Sequence, residues 1–301
     1  MKDLRPAGVH GPEKQIQIGG ECHMTQPEDR YLKIGEISTR YWSAGGQGKA
    51  LILIHGFGTS MEIWQRNIDE FAKKFRVFAF DIPGFGYSDK TPVADFTSFM
   101  PKFINGFMET LGIDRASFMG VSLGGALSIK FTLEYPHKVD RLVPVDSGGF
   151  GTYTPFSNRI VTLPVIGELL TRPDRKGTHR FLKSLVYDPG ILDDAFIDFY
   201  YTLSTMQGAQ EACLRLLRAL FCLTGIKKDL VFPIMSRLDE IKAPTMIIWG
   251  RNDQSFPIEH AYYGHRNIRN SELHIFDQCG HLPNFEKSDE FNRVVGDFLC
   301  R

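Results

Sequence analysis

Short runs of consecutive apolar residues alternate with segments of helical periodicity through the first half of the chain. The apolar runs are ALILIHG (50–56), RVFAFDIPG (76–84), RASFMG (115–120) and RLVPVDS (141–147). Such runs are typical of strands buried on both faces, as in a parallel sheet. Helical spacing between the runs predicts helices near 64–72, 98–111 and 123–135. This alternation predicts an α/β fold, with a mostly parallel central sheet and helices on both faces.

The N-terminal region departs from this alternation. YLKIGEISTRYWSAG (31–45) predicts two short strands around Gly35, forming a hairpin at the front of the sheet. Residues 1–29 contain many turn formers and no clear period, so we expect an N-terminal extension outside the core.

The alternation stops after residue 148. From there to about 240 no buried-strand run occurs, and amphipathic stretches such as DDAFIDFYYTLSTM and QEACLRLLRALFCL take its place. It resumes with TMIIWG (245–250), a helix near 258–267, ELHIFD (272–277) and a closing helix at 286–299. We therefore predict one α/β core, residues 30–147 and 241–301, interrupted by an all-helical insertion at 148–240.

Composition narrows the class of partner. Lys and Arg total 35 and Asp and Glu total 35 of 301 residues, so bulk charge attracts neither nucleic acid nor an anionic membrane. A small-molecule substrate is the expected partner, and a homo-oligomer is left open. The five cysteines are scattered without CxxC spacing, which is typical of reduced thiols. The polar N-terminus lacks the apolar stretch of a signal peptide, so a cytoplasmic location is expected.

The clearest chemical motif is Gly120-Val121-Ser122-Leu123-Gly124, a G-x-S-x-G pattern. At average residue usage it arises by chance in roughly one chain of this length in ten. Here it follows a predicted strand and opens a predicted helix, where a serine is held on a tight, exposed turn. The two glycines fit a close passage of strand and helix. Ser122 is therefore predicted to be a nucleophile; the alternative is a serine that only caps the helix.

A nucleophilic serine needs a base, and the base needs an orienting acid. His281, in a loop just after the last predicted strand, is the best placed of nine histidines. Asp253 follows the preceding strand and is the predicted acid, with Asp146 as the fallback. Asp277 is interpreted as a strand-end turn residue. We interpret the remaining histidines of this region as surface or packing residues; they are His260, His265 and His274.

Acyl transfer also needs two N–H donors for the developing oxyanion. The amide of Leu123, at the helix start, is the predicted first donor. The second is assigned to Phe57 in HGFG (55–58), where the backbone turns sharply after a strand. His55 is interpreted as a structural hydrogen-bonding residue beneath this loop. The scheme requires no metal and no organic cofactor.

Taken in order, the motifs HGFG, DIPGFGYSD (81–89), GVSLGG, GRND and GHLPNFE resemble those of α/β-hydrolase-fold proteins over residues 31–301. The order Ser122, Asp253, His281 is that family's arrangement. The resemblance implies that the insertion forms a cap over the site. It also points to a branch of serine esterases and meta-cleavage-product hydrolases. Serine at the elbow argues against epoxide hydrolases and haloalkane dehalogenases, which resemble this layout but use aspartate.

Within that branch we expect a carboxylic-ester hydrolase acting on a small, largely apolar substrate through an acyl-enzyme. Hydrolases that cleave carbon–carbon bonds in ring-fission products typically carry a glycine-rich loop such as GGPG, which HGFG lacks. A carbon–carbon hydrolase of ring-fission diketones is the alternative, and a non-turnover small-molecule receptor is a second one. Some of the aromatic residues of the insertion are expected to line the pocket: Phe150, Tyr153, Phe156, Phe181, Tyr187, Phe196, Phe199, Tyr200, Tyr201 and Phe221.

Overall fold

The computed structural model describes residues 27–93 and 95–301. Ten strands occur in these residues, and eight of them form one sheet in the order β1-β2-β4-β3-β5-β6-β9-β10. The strands β1 and β2 form an antiparallel hairpin, and β2 pairs antiparallel with β4. All other pairs in this sheet are parallel. The strands are β1 (Arg30–Ile34), β2 (Ile37–Ala44), β3 (Ala50–Ile54), β4 (Arg76–Phe80), β5 (Ala116–Val121), β6 (Val139–Val145), β7 (Phe221–Cys222), β8 (Gly225–Ile226), β9 (Thr245–Gly250) and β10 (Ser271–Phe276).

Twelve α-helices are present in the described residues. They are α1 (Ile68–Ala72), α2 (Phe96–Thr110), α3 (Leu123–Glu134), α4 (Phe156–Ile160), α5 (Ile166–Leu170), α6 (Arg175–Ser184), α7 (Asp194–Thr205), α8 (Ala209–Leu220), α9 (Lys228–Met235), α10 (Glu259–Asn267), α11 (Pro283–Glu286) and α12 (Ser288–Cys300). Single 3₁₀ turns lie at Met61–Trp64, Pro136–Lys138, Pro189–Ile191 and Leu238–Glu240. Within the parts of the chain described, no helix combines the length and apolarity needed to cross a membrane.

The central strands explain where the core lies. Every residue of β3 and of β5 is buried, as the continuous apolar runs predict. Alternate side chains of β3 enter two separate apolar clusters, one on each face of the sheet: Ile52 belongs to the first and Leu53 to the second. Helices α2 and α3 supply the first cluster, and α1 and α12 supply the second. The predicted α/β fold with helices on both faces is confirmed.

The segment between β6 and β9 lies outside the large sheet and contains helices α4 to α9. It is not wholly helical, because β7 and β8 form a small antiparallel hairpin. Gly225 permits this turn: its φ is +131°, and a Cβ there would lie 2.4 Å from the Thr152 carbonyl oxygen. The expectation of an all-helical insertion is wrong in this respect, since two-residue strands are too short to produce a periodic pattern. The predicted boundaries of the insertion stay predictions.

Most of the predicted N-terminal extension, residues 1–26, lies outside the described residues. Asp29, however, contacts the sheet: it pairs with Arg40 at 2.7 Å and accepts a hydrogen bond from Trp42 Nε1 at 2.8 Å. Arg40 is buried in β2, where it also pairs with Glu62 at 2.7 Å and Asp81 at 3.3 Å. Residue 29 therefore takes part in a charge cluster of the core.

Candidate active site

Ser122 occupies the turn between β5 and α3 with φ +56° and ψ −113°. This conformation is uncommon for a residue with a side chain and is held by three backbone hydrogen bonds. The Ser122 amide donates to the Val145 carbonyl at 2.9 Å, while its own carbonyl accepts from the Ala126 and Gly148 amides at 3.1 Å each. The hydroxyl makes no capping hydrogen bond to α3. The geometry therefore excludes the helix-capping alternative.

The two motif glycines allow the strand and the helix to pass in contact. A Cβ at Gly120 would lie 2.2 Å from the Gly124 carbonyl oxygen, and one at Gly124 would lie 2.2 Å from the Ile54 carbonyl oxygen. Real Cβ atoms do not approach backbone oxygens this closely. The predicted close passage is confirmed, and it explains why the motif requires glycine on both sides of the serine.

Asp253 and His281 are brought together as the sequence predicts. Asp253 Oδ2 accepts a hydrogen bond from His281 Nδ1 at 2.8 Å, and the two side chains are 1% and 4% exposed. Asp253 Oδ1 accepts from the Ser255 amide at 2.7 Å, so both carboxylate oxygens are fixed. With its Nδ1 proton held by the carboxylate, a neutral His281 presents an unprotonated Nε2 that can act as a base.

Ser122, Asp253 and His281 all follow the carboxyl ends of parallel strands, namely β5, β9 and β10. In an open parallel sheet these ends share one edge, where ligands bind. Within the described residues no hydrogen bond joins Ser122 Oγ to His281. Catalytic hydrogen bonds of this kind often tighten only when substrate is bound.

The loop after β3 is organised by His55. This side chain is fully buried, and burial lowers its pKa to about 4, so it is neutral at physiological pH. Its Nε2 accepts from the Ile82 amide at 2.9 Å, which leaves the proton on Nδ1 to be donated to the Gly56 carbonyl at 2.8 Å. Thr59 Oγ1 donates to the same carbonyl at 2.9 Å. His55 is thus a structural residue, as the sequence indicates.

These bonds also orient the Phe57 amide. In a trans peptide the N–H and C=O groups point in opposite directions, so the Phe57 N–H faces away from His55. Gly56 itself lies against the nucleophile, since a Cβ there would be 3.2 Å from Ser122 Cβ. The Leu123 amide is the first of α3 and has no acceptor within the helix. Gly56 and Leu123 thus flank Ser122, and the assignment of the Phe57 and Leu123 amides as oxyanion donors stays a prediction.

His265, His274 and Asp277 make their contacts away from the Asp253–His281 pair. His265 Nδ1 is 2.9 Å from Ser271 Oγ, and His274 is 4.0 Å from Glu290. Asp277 is exposed and pairs with Arg251. His260 is not a surface residue, because it packs beside the Phe256 ring and is 8% exposed. It is a packing histidine.

Glu286, which the sequence analysis missed, fixes the loop that carries His281. Its Oε1 accepts from the Gly280 amide at 2.7 Å, and its Oε2 accepts from the Tyr187 amide at 2.6 Å. Burial raises the pKa of this carboxyl above its ordinary value. The His281 amide in turn donates to the Leu185 carbonyl at 2.8 Å. A glutamate five residues after the histidine in GHLPNFE is the only sequence signal of this role.

Asp146, the fallback acid, does not contact His281 by a hydrogen bond but lies beside the pair. One carboxylate oxygen each of Asp146 and Asp253 and one ring nitrogen of His281 lie within 4.8 Å of one another. In the described part of the chain this is the one group of three His, Cys, Asp or Glu side chains close enough to hold a metal ion. Metal ligands can have this composition, but here the Asp253 and His281 atoms already hydrogen-bond each other. Asp146 is therefore a neighbour of the hydrogen-bonded Asp253–His281 pair.

A cavity of about 710 Å³, counting space open to solvent, adjoins the serine. Ser122, Leu123, Phe57 and Phe256 line it at one end. The remainder is almost entirely apolar, and Lys130 is the one charged side chain of the lining within the described residues. Of the ten aromatic residues considered above, only Phe221 is part of this lining. Most of the others pack within the protein or are exposed, as Phe196 and Phe156 illustrate.

A family model described as the alpha/beta hydrolase fold matches residues 49–170 and 206–288. The chain belongs to the α/β-hydrolase fold family. It is 31% identical to the 2-hydroxy-6-oxo-6-phenylhexa-2,4-dienoate hydrolase of Comamonas testosteroni, over 86% of this chain and 90% of the relative. It is 32% identical to the 2-hydroxy-6-oxononadienedioate/2-hydroxy-6-oxononatrienedioate hydrolase of Burkholderia vietnamiensis, over 93% of this chain and 98% of the relative. The chain is accordingly a hydrolase of this family.

Solved structures agree with this assignment. The meta-cleavage product hydrolase CumD of Pseudomonas fluorescens is 27% identical, with a TM-score of 0.76 over 90% of this chain and 97% of the other. The carboxylesterase CesB of Bacillus subtilis, 22% identical with a TM-score of 0.75 over 92% of each chain, shares the fold. The relatives support the carbon–carbon hydrolase alternative better than the ester hydrolase expected from the HGFG loop.

Proposed function

We propose that this hydrolase cleaves a carbon–carbon bond in a 2-hydroxy-6-oxo-dienoate, with Ser122 as nucleophile, His281 as base and Asp253 as its orienting acid. The buried Asp253–His281 hydrogen bond at 2.8 Å, on the strand edge that also carries the strained Ser122 turn, is the observation that supports this most. Identity of 31–32% to hydrolases of such dienoates supplies the substrate class.

The reaction needs a carbon leaving group, and the substrate's own conjugation supplies one. When the proton of the 2-hydroxyl group moves to C5, the dienol becomes a 2,6-dioxo compound. The C5–C6 bond then lies between a reactive carbonyl at C6 and a carbon whose electron pair can delocalise into the 2-oxo group. Cleavage consequently yields a stabilised dienolate instead of a free carbanion.

Ser122 Oγ attacks C6 while His281 Nε2 takes the hydroxyl proton. The resulting oxyanion accepts hydrogen bonds from the amides of Phe57 and Leu123, a contribution on the order of a hundredfold or more in rate for each donor. Collapse breaks C5–C6, the dienolate takes the proton held on His281 Nε2, and an acyl-enzyme remains beside a neutral His281. Water, activated by His281, releases the C6 fragment as a carboxylic acid and restores the serine.

The cavity fits the rest of such a molecule. Its apolar lining, including Leu127, Leu220 and Ile234, suits the hydrocarbon chain and an apolar 6-substituent. Lys130, on α3 in the same lining, is the group proposed to pair with the substrate carboxylate. Its Nζ is 3.7 Å from Glu134, a separation that leaves its donors available to an anion.

A carboxylic ester is the second candidate substrate. It is favoured by the HGFG loop, which stands where carbon–carbon hydrolases of this type typically have GGPG. Ser122, His281 and the two amides would act on an ester in the same way, with an alcohol as the leaving group.

The test compares 2-hydroxy-6-oxo-6-phenylhexa-2,4-dienoate with an aryl butyrate, using the wild type, Ser122→Ala and the exposed-site control Ser236→Ala. We expect faster turnover of the dienoate, measured as kcat/KM, and loss of turnover only in Ser122→Ala. A tenfold preference for the ester would replace the proposal by the second candidate. A single-turnover burst on both substrates would point to the receptor function.

A further inference from the structure

Asp146 is a fully buried carboxyl group on a strained stretch of backbone. It follows β6 with φ +40°, and its amide donates to the Ile248 carbonyl of β9 at 3.0 Å. Its side chain is completely buried. An aspartate with positive φ and no exposure is costly in two ways, through backbone strain and through removal of a carboxyl group from water. Such a residue requires specific compensation.

The compensation found is incomplete for an ionised carboxylate. Oδ1 accepts from the Gly250 amide at 2.9 Å, but Oδ2 is buried without a hydrogen-bond partner among the described residues. A charged oxygen in this situation would lack both solvent and donor. A protonated oxygen, in contrast, is itself a donor and needs an acceptor nearby.

Among the described residues, the surroundings of Asp146 supply acceptors and no Lys or Arg partner. The titratable groups facing Asp146 are the carboxyl groups of Asp253 and Glu286, the Cys279 thiol and His281. Asp253 already receives two hydrogen bonds, from Ser255 and His281, so it is the better stabilised anion of the two aspartates. Burial first, and the neighbouring Asp253 charge second, raise the pKa of Asp146 well above its ordinary value.

We propose that Asp146 is a protonated carboxylic acid that directs its Oδ2 proton at the Asp253 carboxylate and thereby positions Asp253 for His281. This inference rests on the triad proposed above. Asp146 is a positioning residue, because it touches neither substrate nor the reacting atoms. Its neutral form gives Asp253 a third donor, which restricts rotation of the carboxylate and keeps Oδ2 on the histidine.

The proposal predicts different outcomes for two substitutions of Asp146, one isosteric and one truncating. In Asp146→Asn the amide oxygen can accept from Gly250 and the amide nitrogen can donate to Asp253, so both contacts of a neutral acid are retained. In Asp146→Ala both contacts are lost. We expect Asp146→Asn to keep at least a third of kcat/KM with an unchanged acidic limb of the pH profile, and Asp146→Ala to lose tenfold or more. A tenfold loss or a displaced acidic limb in Asp146→Asn would show an ionised Asp146 and overturn the proposal.

A second measurement is independent of activity and of whether Asp146→Ala folds. Infrared difference spectra of wild type against Asp146→Asn should contain the carbonyl stretch of a protonated carboxylic acid at pH 7. Because the folded state keeps a proton that unfolded Asp146 loses above pH of about 3.9, the wild type loses stability as pH rises. The melting temperature of Asp146→Asn minus that of the wild type should therefore increase from pH 5 to pH 8.

The outcomes separate the two proposals. Absence of the acid carbonyl band, or a melting-temperature difference that does not change with pH, would refute the protonated Asp146 while leaving the triad in place. Full turnover by Ser122→Ala would refute the triad, whereas the infrared and melting results would still report the protonation of Asp146.

Discussion

Asp253 Oδ2 and His281 Nδ1 lie 2.8 Å apart, and both side chains are almost completely buried. Replacing the acid by its amide keeps the volume but removes the charge and favours the wrong histidine tautomer. We expect Asp253→Asn to lower kcat on the order of 10³–10⁴-fold, measured by steady-state kinetics on the preferred substrate. Asp277→Asn, in an exposed pair with Arg251, is the matched control and should stay near the wild type. Less than a tenfold loss in Asp253→Asn would mean that another group orients His281.

Gly124 tests the close packing of strand against helix. Gly124→Ala places a Cβ 2.2 Å from the Ile54 carbonyl oxygen, so either β3 or α3 must shift. We expect a loss of about 1–3 kcal/mol or more in the free energy of unfolding, measured by urea denaturation, and weaker activity in the fraction that folds. Gly296→Ala is the control because nothing lies within 4 Å of the added Cβ inside α12. There alanine should stabilise by roughly 0.5–1 kcal/mol. Equal effects of the two changes would contradict the packing argument.

The lowered pKa of His55 predicts that the free energy of unfolding depends on pH. Burial lowers the pKa of His55 to about 4 in the folded state, so unfolded chains bind its proton first as the pH falls. This contribution to stability is complete above pH of about 6.5 and is lost as pH falls towards 4, at up to about 1.4 kcal/mol per pH unit. Urea denaturation at pH 7.5, 6 and 5 should therefore show that the stability gap between wild type and His55→Asn narrows with acidity. His137→Asn, at an exposed position, is the control, and a gap constant with pH would refute the assignment.

Lys130 tests the proposed carboxylate contact. Lys130→Met keeps the apolar stem in the cavity lining and removes the charge. We expect KM for the dienoate to rise about tenfold, equivalent to about 1.4 kcal/mol, with kcat changed less than threefold. A neutral aryl ester should show no such rise, and Lys102→Met, exposed on α2, is the surface control. An equal change of KM on both substrates would indicate a packing role instead.

The sequence was informative where a short pattern determines the local structure. Continuous apolar runs identify β3 and β5 because both faces of these strands are buried. The glycines around Ser122 indicate the tight turn. Asp253 and His281 follow the ends of neighbouring parallel strands, which places them on the same edge of the sheet as that turn. The sequence also indicates the structural role of His55, since a histidine at the start of a turning loop has backbone groups within reach.

The rest depends on contacts between distant segments. The β7–β8 hairpin has strands of two residues and leaves no periodic signal. The burial of Arg40 among Asp29, Glu62 and Asp81 joins four separate segments, and no local pattern reports it. Asp146 appears from the sequence as an alternative to Asp253, whereas the structure places the two side by side. The HGFG loop suggested an ester because loop composition alone does not reveal which leaving group the cavity accommodates.

The hydrogen bonds from the Tyr187 amide to Glu286 and from the His281 amide to the Leu185 carbonyl have a consequence for protein engineering. They join residues 185–187, which follow α6, to the loop that carries His281. In both bonds the 185–187 segment contributes a backbone group, so the bonds depend on the path of the chain there. A chimera that receives the α4–α9 region of another family member would keep the serine and lose these anchors unless the graft reproduces the chain path at 185–187. Chimeras in which residues 185–187 stay native within the exchanged region should be active, and chimeras in which these residues are also replaced should not.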